Sequence, residues 1–356
     1  WVADMDFAAA PPIQKALEDM RSIGVYGYYG DDASYLDAIR WWMSERHGWD
    51  VDPNAIFTVH GLVNGTALCI DTFTDPGDGV ILMTPVYHAF HRVIRAAGRE
   101  VIECPLARND GRYEMDFDAY DGMMTGREKM VMLCSPHNPG GRVWSAEELR
   151  GVAEFCRRHD LILVSDEIHQ DIVFPGANFL PTDVAVPEAR DRLIVLGATS
   201  KTFNLAGHHT GHAIIPDARL RARYSAVMGG LGISTNAFGM HMVEAAYSPE
   251  GAAWVDALVA YLDGNRKLLD EGLNGLPGVT SMPLEATYLA WADFKGTGME
   301  HEELLRRVEK HARIAVNHGP TFGAGGETFL RFNFATPRAR VAEAVERLQK
   351  AFGDLQ

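Results

Sequence analysis

The sequence predicts an α/β protein with a mostly parallel central sheet and crossover helices, followed by a smaller α+β domain. Between about residues 55 and 215, short apolar runs alternate with helical segments, which is the pattern of repeated strand, helix, strand units. The runs are rich in β-branched residues, as strands covered on both faces require. A chain of 356 residues that is 47% hydrophobic also buries enough apolar surface for two domains rather than one.

Taken in order, the predicted core strands are "AIFTV" (55–59), "GVILM" (79–83), "EVIEC" (100–104), "MVMLC" (130–134), "LILVS" (161–165) and "RLIVLG" (192–197). Before "LILVS", Ser145 stands three residues ahead of Glu148 as a capping box, and Leu149, Val152, Ala153 and Cys156 follow at helical spacing. That helix carries the chain back across the sheet. After "YSPEGAAW" (247–254), a helical pattern from about Ala253 to Leu273 leads to two further strands, "TYLAWADF" (287–294) and "TFLRFNF" (328–334). The large domain is therefore expected over 22–252, and the small one over 1–21 and 253–356.

With 33 basic against 48 acidic residues the formal charge is −15, which argues against nucleic acid as a partner, because that needs a basic footprint. A small-molecule substrate fits better. Cys69, Cys104, Cys134 and Cys156 stand singly inside apolar runs, the usage of a reducing cytoplasm. No apolar run approaches the ~20 residues of a membrane span, so no membrane partner is expected. No signal-peptide pattern opens the chain. The first residue is Trp1, inside what already reads as structured sequence, so an N-terminal piece is expected to precede it.

Open α/β sheets bind ligands beyond the C-terminal ends of their strands. There the sequence places "SPHNPGG" (135–141) after "MVMLC", "DEIHQD" (166–171) after "LILVS", and "ATSK" (198–201) after "RLIVLG". Asn138, Asp166 and Lys201 thus reach one rim from separate strands. Singly they read as a turn, a helix cap and a solvated lysine. Together they match pyridoxal phosphate (PLP) chemistry, which needs a lysine amine to carry the aldehyde and an acid to keep the pyridine nitrogen protonated. Lys201 is the candidate amine, Asp166 the candidate acid, and Asn138 the candidate donor to the ring hydroxyl oxygen. In "TFLRFNF", alternation puts Phe329, Arg331 and Asn333 on one face, and an arginine in an apolar strand must meet an anion. Its two-pronged donor geometry suits a substrate α-carboxylate, with a structural salt bridge as the alternative.

These motifs and the lengths between them resemble the fold-type I PLP enzymes, the aspartate aminotransferase superfamily, which implies the PLP-dependent transferase fold with 22–252 as its PLP-binding domain. More narrowly, "WVADMDF" (1–7), "VYGYYG" (25–30), "TPVYHAF" (84–90), "NPGGRVW" (138–144), "DEIHQD" and "TYLAW" (287–291) resemble the MalY/PatB-like cystathionine β-lyases, a carbon–sulfur lyase branch. The resemblance runs from the first residue to about Arg338. It implies that Tyr87 stacks on the cofactor ring at the catalytic centre. It implies also that Gly61, Leu62 and Val63 form a phosphate cup at a helix N-terminus, with a hydroxyl from Ser200. Tyr28 would cross a homodimer interface to the neighbouring phosphate, with Tyr26 and Tyr29 as alternatives in the same turn.

Two positions depart from the aminotransferase pattern. His209 stands where that pattern grips the phosphate with arginine, which shifts phosphate binding towards the cup and Tyr28. His169, assigned to the cofactor site, stands where tyrosine is usual, a form that the lyase branch shares. The implied activity is α,β-elimination of L-cystathionine or related cysteine S-conjugates to pyruvate, ammonia and a thiol. Lys201 would remove the α-proton, and either Lys201 or a nearby tyrosine would protonate the leaving sulfur. An aminotransferase is the alternative. A PLP-binding regulator without turnover would have no use for the Arg331 clamp.

Two further signals carry less. His208, His209 and His212, and "HAFH" (88–91), lack a zinc spacing with a catalytic glutamate and read as surface or supporting histidines. "FGAGGE" (322–327) lacks the context of a dinucleotide site and reads as a mobile loop closing over the substrate.

Overall fold

The chain's first nine strands are β1 (Ile56–Val59), β2 (Gly79–Thr84), β3 (Glu100–Pro105), β4 (Ala107–Asn109), β5 (Arg112–Glu114), β6 (Glu128–Cys134), β7 (Ile162–Asp166), β8 (Leu193–Gly197) and β9 (Gly211–Ile214). In the computed structural model, which describes residues 2–234 and 236–355, seven of them form one sheet in the order β1-β9-β8-β7-β6-β2-β3. Trp1, which opens the "WVADMDF" motif, lies outside the described residues. Every pairing in this sheet is parallel except those of β9, which runs antiparallel to β1 and β8. The six core strands expected from the sequence are present; β9 was not expected. Its "GHAI" run has neither length nor alternation, and it is a strand because two neighbours already offer it hydrogen bonds.

Helices α1 (Pro11–Ile23), α2 (Ala33–His47), α3 (Leu62–Phe73), α4 (His88–Ala96), α5 (Phe117–Asp121), α6 (Ala146–Arg158), α7 (Thr182–Ala185), α8 (Thr199–Thr202), α9 (Ala218–Gly230) and α10 (Ala237–Ala246) surround this sheet. The capping box of α6 is complete: the Ser145 side chain accepts from the Glu148 amide, and Glu148 Oε2 accepts from the Ser145 amide at 2.8 Å. Successive residues of each strand feed opposite faces. Ile81, Val131, Leu163 and Val195 join the core that holds Trp42 of α2 and Val152 and Phe155 of α6. Val80, Met132, Val164 and Leu196 join the core that holds Leu68 of α3, Ile94 of α4 and Leu220 of α9.

The 26-residue helix α11 (Pro249–Asn274) leads into the smaller α+β part. This comprises β10 (Thr280–Ser281), β11 (Leu289–Asp293), α12 (His301–Leu305), β12 (Asn317–His318), β13 (Phe329–Asn333) and α13 (Arg338–Ala351), with an antiparallel sheet in the order β10-β11-β13-β12. Its own core holds Leu269, Leu289, Leu330 and Val341, and Met5 belongs to it, whereas Ala10, just before α1, and Ile13 within it belong to the first core. Trp254 and Val259 of α11 pack against both.

The two parts meet at the "NPGG" turn. Gly141 has φ +65°, and a Cβ there would stand 2.1 Å from Leu284 Cδ1. Its carbonyl accepts from the amides of Glu285 and Ala286 at 2.9 and 3.0 Å. Glycine is required at this position both for the left-handed backbone and for the close approach. The "FGAGGE" segment is tied down rather than laid over the site: Val86 donates to the Phe322 carbonyl at 2.8 Å, and the Ala324 amide donates to Glu103 Oε2 at 3.0 Å. Among the described residues no helix is long and apolar enough to cross a membrane.

Candidate active site

A cavity of about 530 Å³ opens at the C-terminal ends of the parallel strands. The segments after β1, β2, β6, β7 and β8 line it, Asn317 and Arg331 of the smaller sheet close one side, and Val2 and Ala3 cover another. The lining brings together Lys201, Asp166, Asn138, Tyr87, His169 and Arg331 with Gly61, Leu62, Val63 and Ser200.

Lys201 sits in the single turn of α8 directly after β8. Its Nζ donates to the Ala3 carbonyl at 2.6 Å. Burial holds its ammonium below the ordinary lysine value, with Asp4 pulling the other way. The turn is held from beneath by Asp171, whose buried carboxylate accepts from Thr202 Oγ1 at 2.7 Å, from His47 Nε2 at 2.8 Å and from Trp42 Nε1 at 2.9 Å. Burial alone would raise the Asp171 pKa; the His47, Thr202 and Trp42 bonds outweigh it and hold the carboxyl below its usual value. One motif, "DEIHQD", therefore both lines the cavity and anchors the residue next to Lys201.

Asp166 ends β7, in register with Cys134 and Leu196. It is 5% exposed, and its Oδ1 accepts from the Ile168 amide at 3.2 Å. Burial pushes its pKa up to about 7, against the smaller pull of that amide and of Lys201. A carboxyl so placed gains from any cation brought against it.

Arg331 reaches the cavity from β13, where it pairs with Trp291 and Asn317 in register. It is buried at 2% exposure, and burial brings its pKa down to about 10. Nη1 donates to Asn138 Oδ1 at 3.0 Å and Nη2 to Asn317 Oδ1 at 2.5 Å. A guanidinium only donates, so the Asn138 oxygen must be the end that faces it, which leaves the amide NH2 as the remaining donor. His169 is buried, its ring 6.1 Å from that of Tyr288; burial, with Lys201 and Arg331 adding to it, pushes its pKa down to about 3, so the ring is neutral. Its Nδ1 is buried without a hydrogen-bond partner. Tyr87 caps α4 and is half-buried.

Gly61, at φ +75°, precedes the first turn of α3, whose amides have no partner within the helix, and Gly61, Leu62 and Val63 line the cavity with Ser200 and His209. Tyr28 is not part of this cavity; it is 99% exposed, beside the exposed Val25 and Tyr26. Several lining residues were not singled out by sequence. Val2 and Ala3 were beyond reach, because only the fold brings the N-terminal segment over Lys201. Asn317 lies in a two-residue strand without a pattern. Arg92 carried a readable signal, its i, i+4 spacing from His88 in the helix that follows Tyr87.

The donor set fits PLP. A buried carboxyl without a cation bonded to it suits a protonated ring nitrogen, the Asn138 amide NH2 and the orphaned His169 Nδ1 suit the ring hydroxyl oxygen, and the helix amides beside Gly61 suit a phosphate. Lys201 lies within the same walls for the aldehyde.

Comparison with known proteins agrees. The chain is 37% identical over 355 residues to cystathionine beta-lyase PatB of Bacillus subtilis (strain 168), covering 99% of this chain and 91% of that protein. It is 31% identical to protein MalY of Escherichia coli (strain K12), covering 98% of this chain and 90% of that one. The structure of cystalysin from Treponema denticola, which contains a pyridoxal 5'-phosphate cofactor, superposes with a TM-score of 0.95 at 34% identity, covering 100% of this chain and 91% of that one. The model of the PLP-dependent family "Aminotransferase class I and II" matches residues 4–348, and the chain belongs to that family.

Proposed function

We propose that the chain is a PLP-dependent carbon–sulfur β-lyase, which converts a cysteine thioether and water into pyruvate, ammonia and a thiol. The observation that carries this reading is the convergence of Lys201, Asp166 and Arg331 on one cavity from three separate strands. The similarity to PatB and cystalysin supports elimination over transfer of the amino group.

PLP bound there supplies an electron sink for the charge left when the substrate loses its α-proton. Asp166 keeps the proton on the ring nitrogen, because a bare carboxylate at that depth is costly without a cation. Arg331 binds the substrate α-carboxylate in a fork and, through Asn138, aligns the amide that meets the ring. Lys201 holds the cofactor between turnovers and takes the α-proton on Nζ. Its lowered pKa favours the free amine that a base must be. Tyr87 would stack on the ring, His169 would support it as a neutral donor or acceptor, and Gly61, Leu62, Val63 and Ser200 would hold the phosphate. Incubation of the holoenzyme with L-cystathionine and no keto-acid acceptor will give steady release of pyruvate and thiol. Activity that requires an acceptor would establish an aminotransferase instead.

The same reading makes the protein a homodimer, in which Tyr28 reaches the partner's phosphate. Its 99% exposure, next to the exposed Val25 and Tyr26, supports a covered apolar face. Mixing Lys201→Ala chains with Tyr28→Ala chains will restore activity that neither has alone, because one site of each mixed dimer is then intact. No recovery, or a monomeric mass in light scattering, sinks the shared site. Four buried, unbridged cysteines support a reducing compartment such as the cytoplasm, and fractionation that finds the protein outside it would overturn that placement.

A further inference from the structure

Arg92 is the cation of this cavity that the lyase reading leaves without a role. It follows His88 by four residues on α4, which puts both side chains on one face of the helix, one turn apart. Both line the cavity with Lys201, Asp166 and Arg331. The field of Arg92 reaches inward: after burial and Arg331, it helps to lower the His88 pKa, and it opposes the effect of burial at Tyr87.

Each anion that the lyase reading brings into the cavity already has a partner other than Arg92. Asp166 is the one carboxyl among the described lining residues, and the ring nitrogen takes it. The phosphate sits on the helix amides and Ser200, and the α-carboxylate takes Arg331. Arg92 makes no ion pair or hydrogen bond among the described residues. Arg99, by contrast, is paired with Asp71 at 3.2 Å and donates to Thr74 Oγ1 at 2.9 Å. Both Arg92 and His88 are exposed at the cavity's opening, on the helix that follows the ring-stacking tyrosine. A substituent on the substrate sulfur needs more room than the amino acid itself, and the opening provides it.

We propose that Arg92, with His88 beside it, selects cysteine S-conjugates whose departing thiol ends in a carboxylate. This rests on the lyase reading. A guanidinium takes such a group in two parallel hydrogen bonds, and the neighbouring imidazole adds an N–H without a second full charge. A neutral tail forgoes those bonds, and a cationic tail is repelled.

The test uses the holoenzyme and pyruvate release from S-carboxyethyl-L-cysteine and its isosteric amide, S-carbamoylethyl-L-cysteine. The wild type will favour the acid roughly tenfold in kcat/KM, chiefly through KM, as expected for a charged hydrogen-bonding group. Arg92→Gln will bring the ratio to near one, and Arg92→Glu will favour S-aminoethyl-L-cysteine over the acid. Because each ratio is taken within one preparation, changes in folding or cofactor loading cancel. A wild-type ratio near one, or an Arg92→Gln ratio equal to that of the wild type, overturns the proposal. Pyruvate from neither compound, nor from L-cystathionine, overturns the lyase reading together with it.

Discussion

Lys201→Ala will lose at least about 10³-fold in kcat, the upper range of a general base's contribution, because in the proposed reaction the same Nζ both carries the cofactor and takes the α-proton. Borohydride reduction of the wild-type holoenzyme will leave the cofactor fixed to the peptide that contains position 201, and in the variant it will leave no such adduct. The chain will still fold. Lys201 Nζ makes its hydrogen bond to the Ala3 carbonyl at the cavity edge, and α8 is held by Thr202 and Asp171 rather than by Lys201. Residual turnover within tenfold of the wild type would remove Lys201 from the chemistry and with it the assignment of this cavity as the active site.

Asp166→Asn is expected to separate catalysis from stability. The variant keeps the shape of the side chain but cannot hold a proton on the ring nitrogen, so kcat will fall by roughly 10²-fold or more. The cofactor-free protein will respond in the opposite sense. The carboxyl titrates at about 7 in the folded chain against an ordinary 3.8, so the folded state binds the additional proton between those values. Wild-type stability therefore falls as pH rises from about 4 to about 7, by on the order of a few kcal/mol. Asp166→Asn lacks this slope, and at pH 8 its cofactor-free form will melt above the wild type, whereas at pH 4 the two will be close. Thermal melts of both cofactor-free proteins across that range check the sign. A variant that is less stable than the wild type at pH 8 falsifies the claim that this carboxylate is held at an electrostatic cost.

Much of the cavity lining was readable because it follows strands directly. Asp166 ends β7, and Asn138 and Lys201 come within four residues of the ends of β6 and β8, so finding the strands nearly finds the residues. Apolar runs are a strong signal when both faces of a sheet are covered, as the separate cores on the two faces of this sheet show. Strand β9 escaped because four residues that include Gly211 and His212 have no local reason to be extended. The "FGAGGE" loop was misjudged because glycine marks both freedom and close approach. Here the structure shows the second, with Phe322 and Ala324 bonded to Val86 and Glu103.

By itself the sequence determined the strand order in time, the residue types at the strand ends and the arginine in an apolar strand, all of which depend on neighbours within a few positions. Only the tertiary structure decided how those groups are set against one another. The Asn138 amide is oriented by Arg331 from 193 residues away, Lys201 is covered by Ala3 from 198, and Asp171 gathers Trp42 and His47 from 129 and 124. Such pairings are chosen by the packing of whole elements, because a buried polar group must find its partner among whatever the fold brings near.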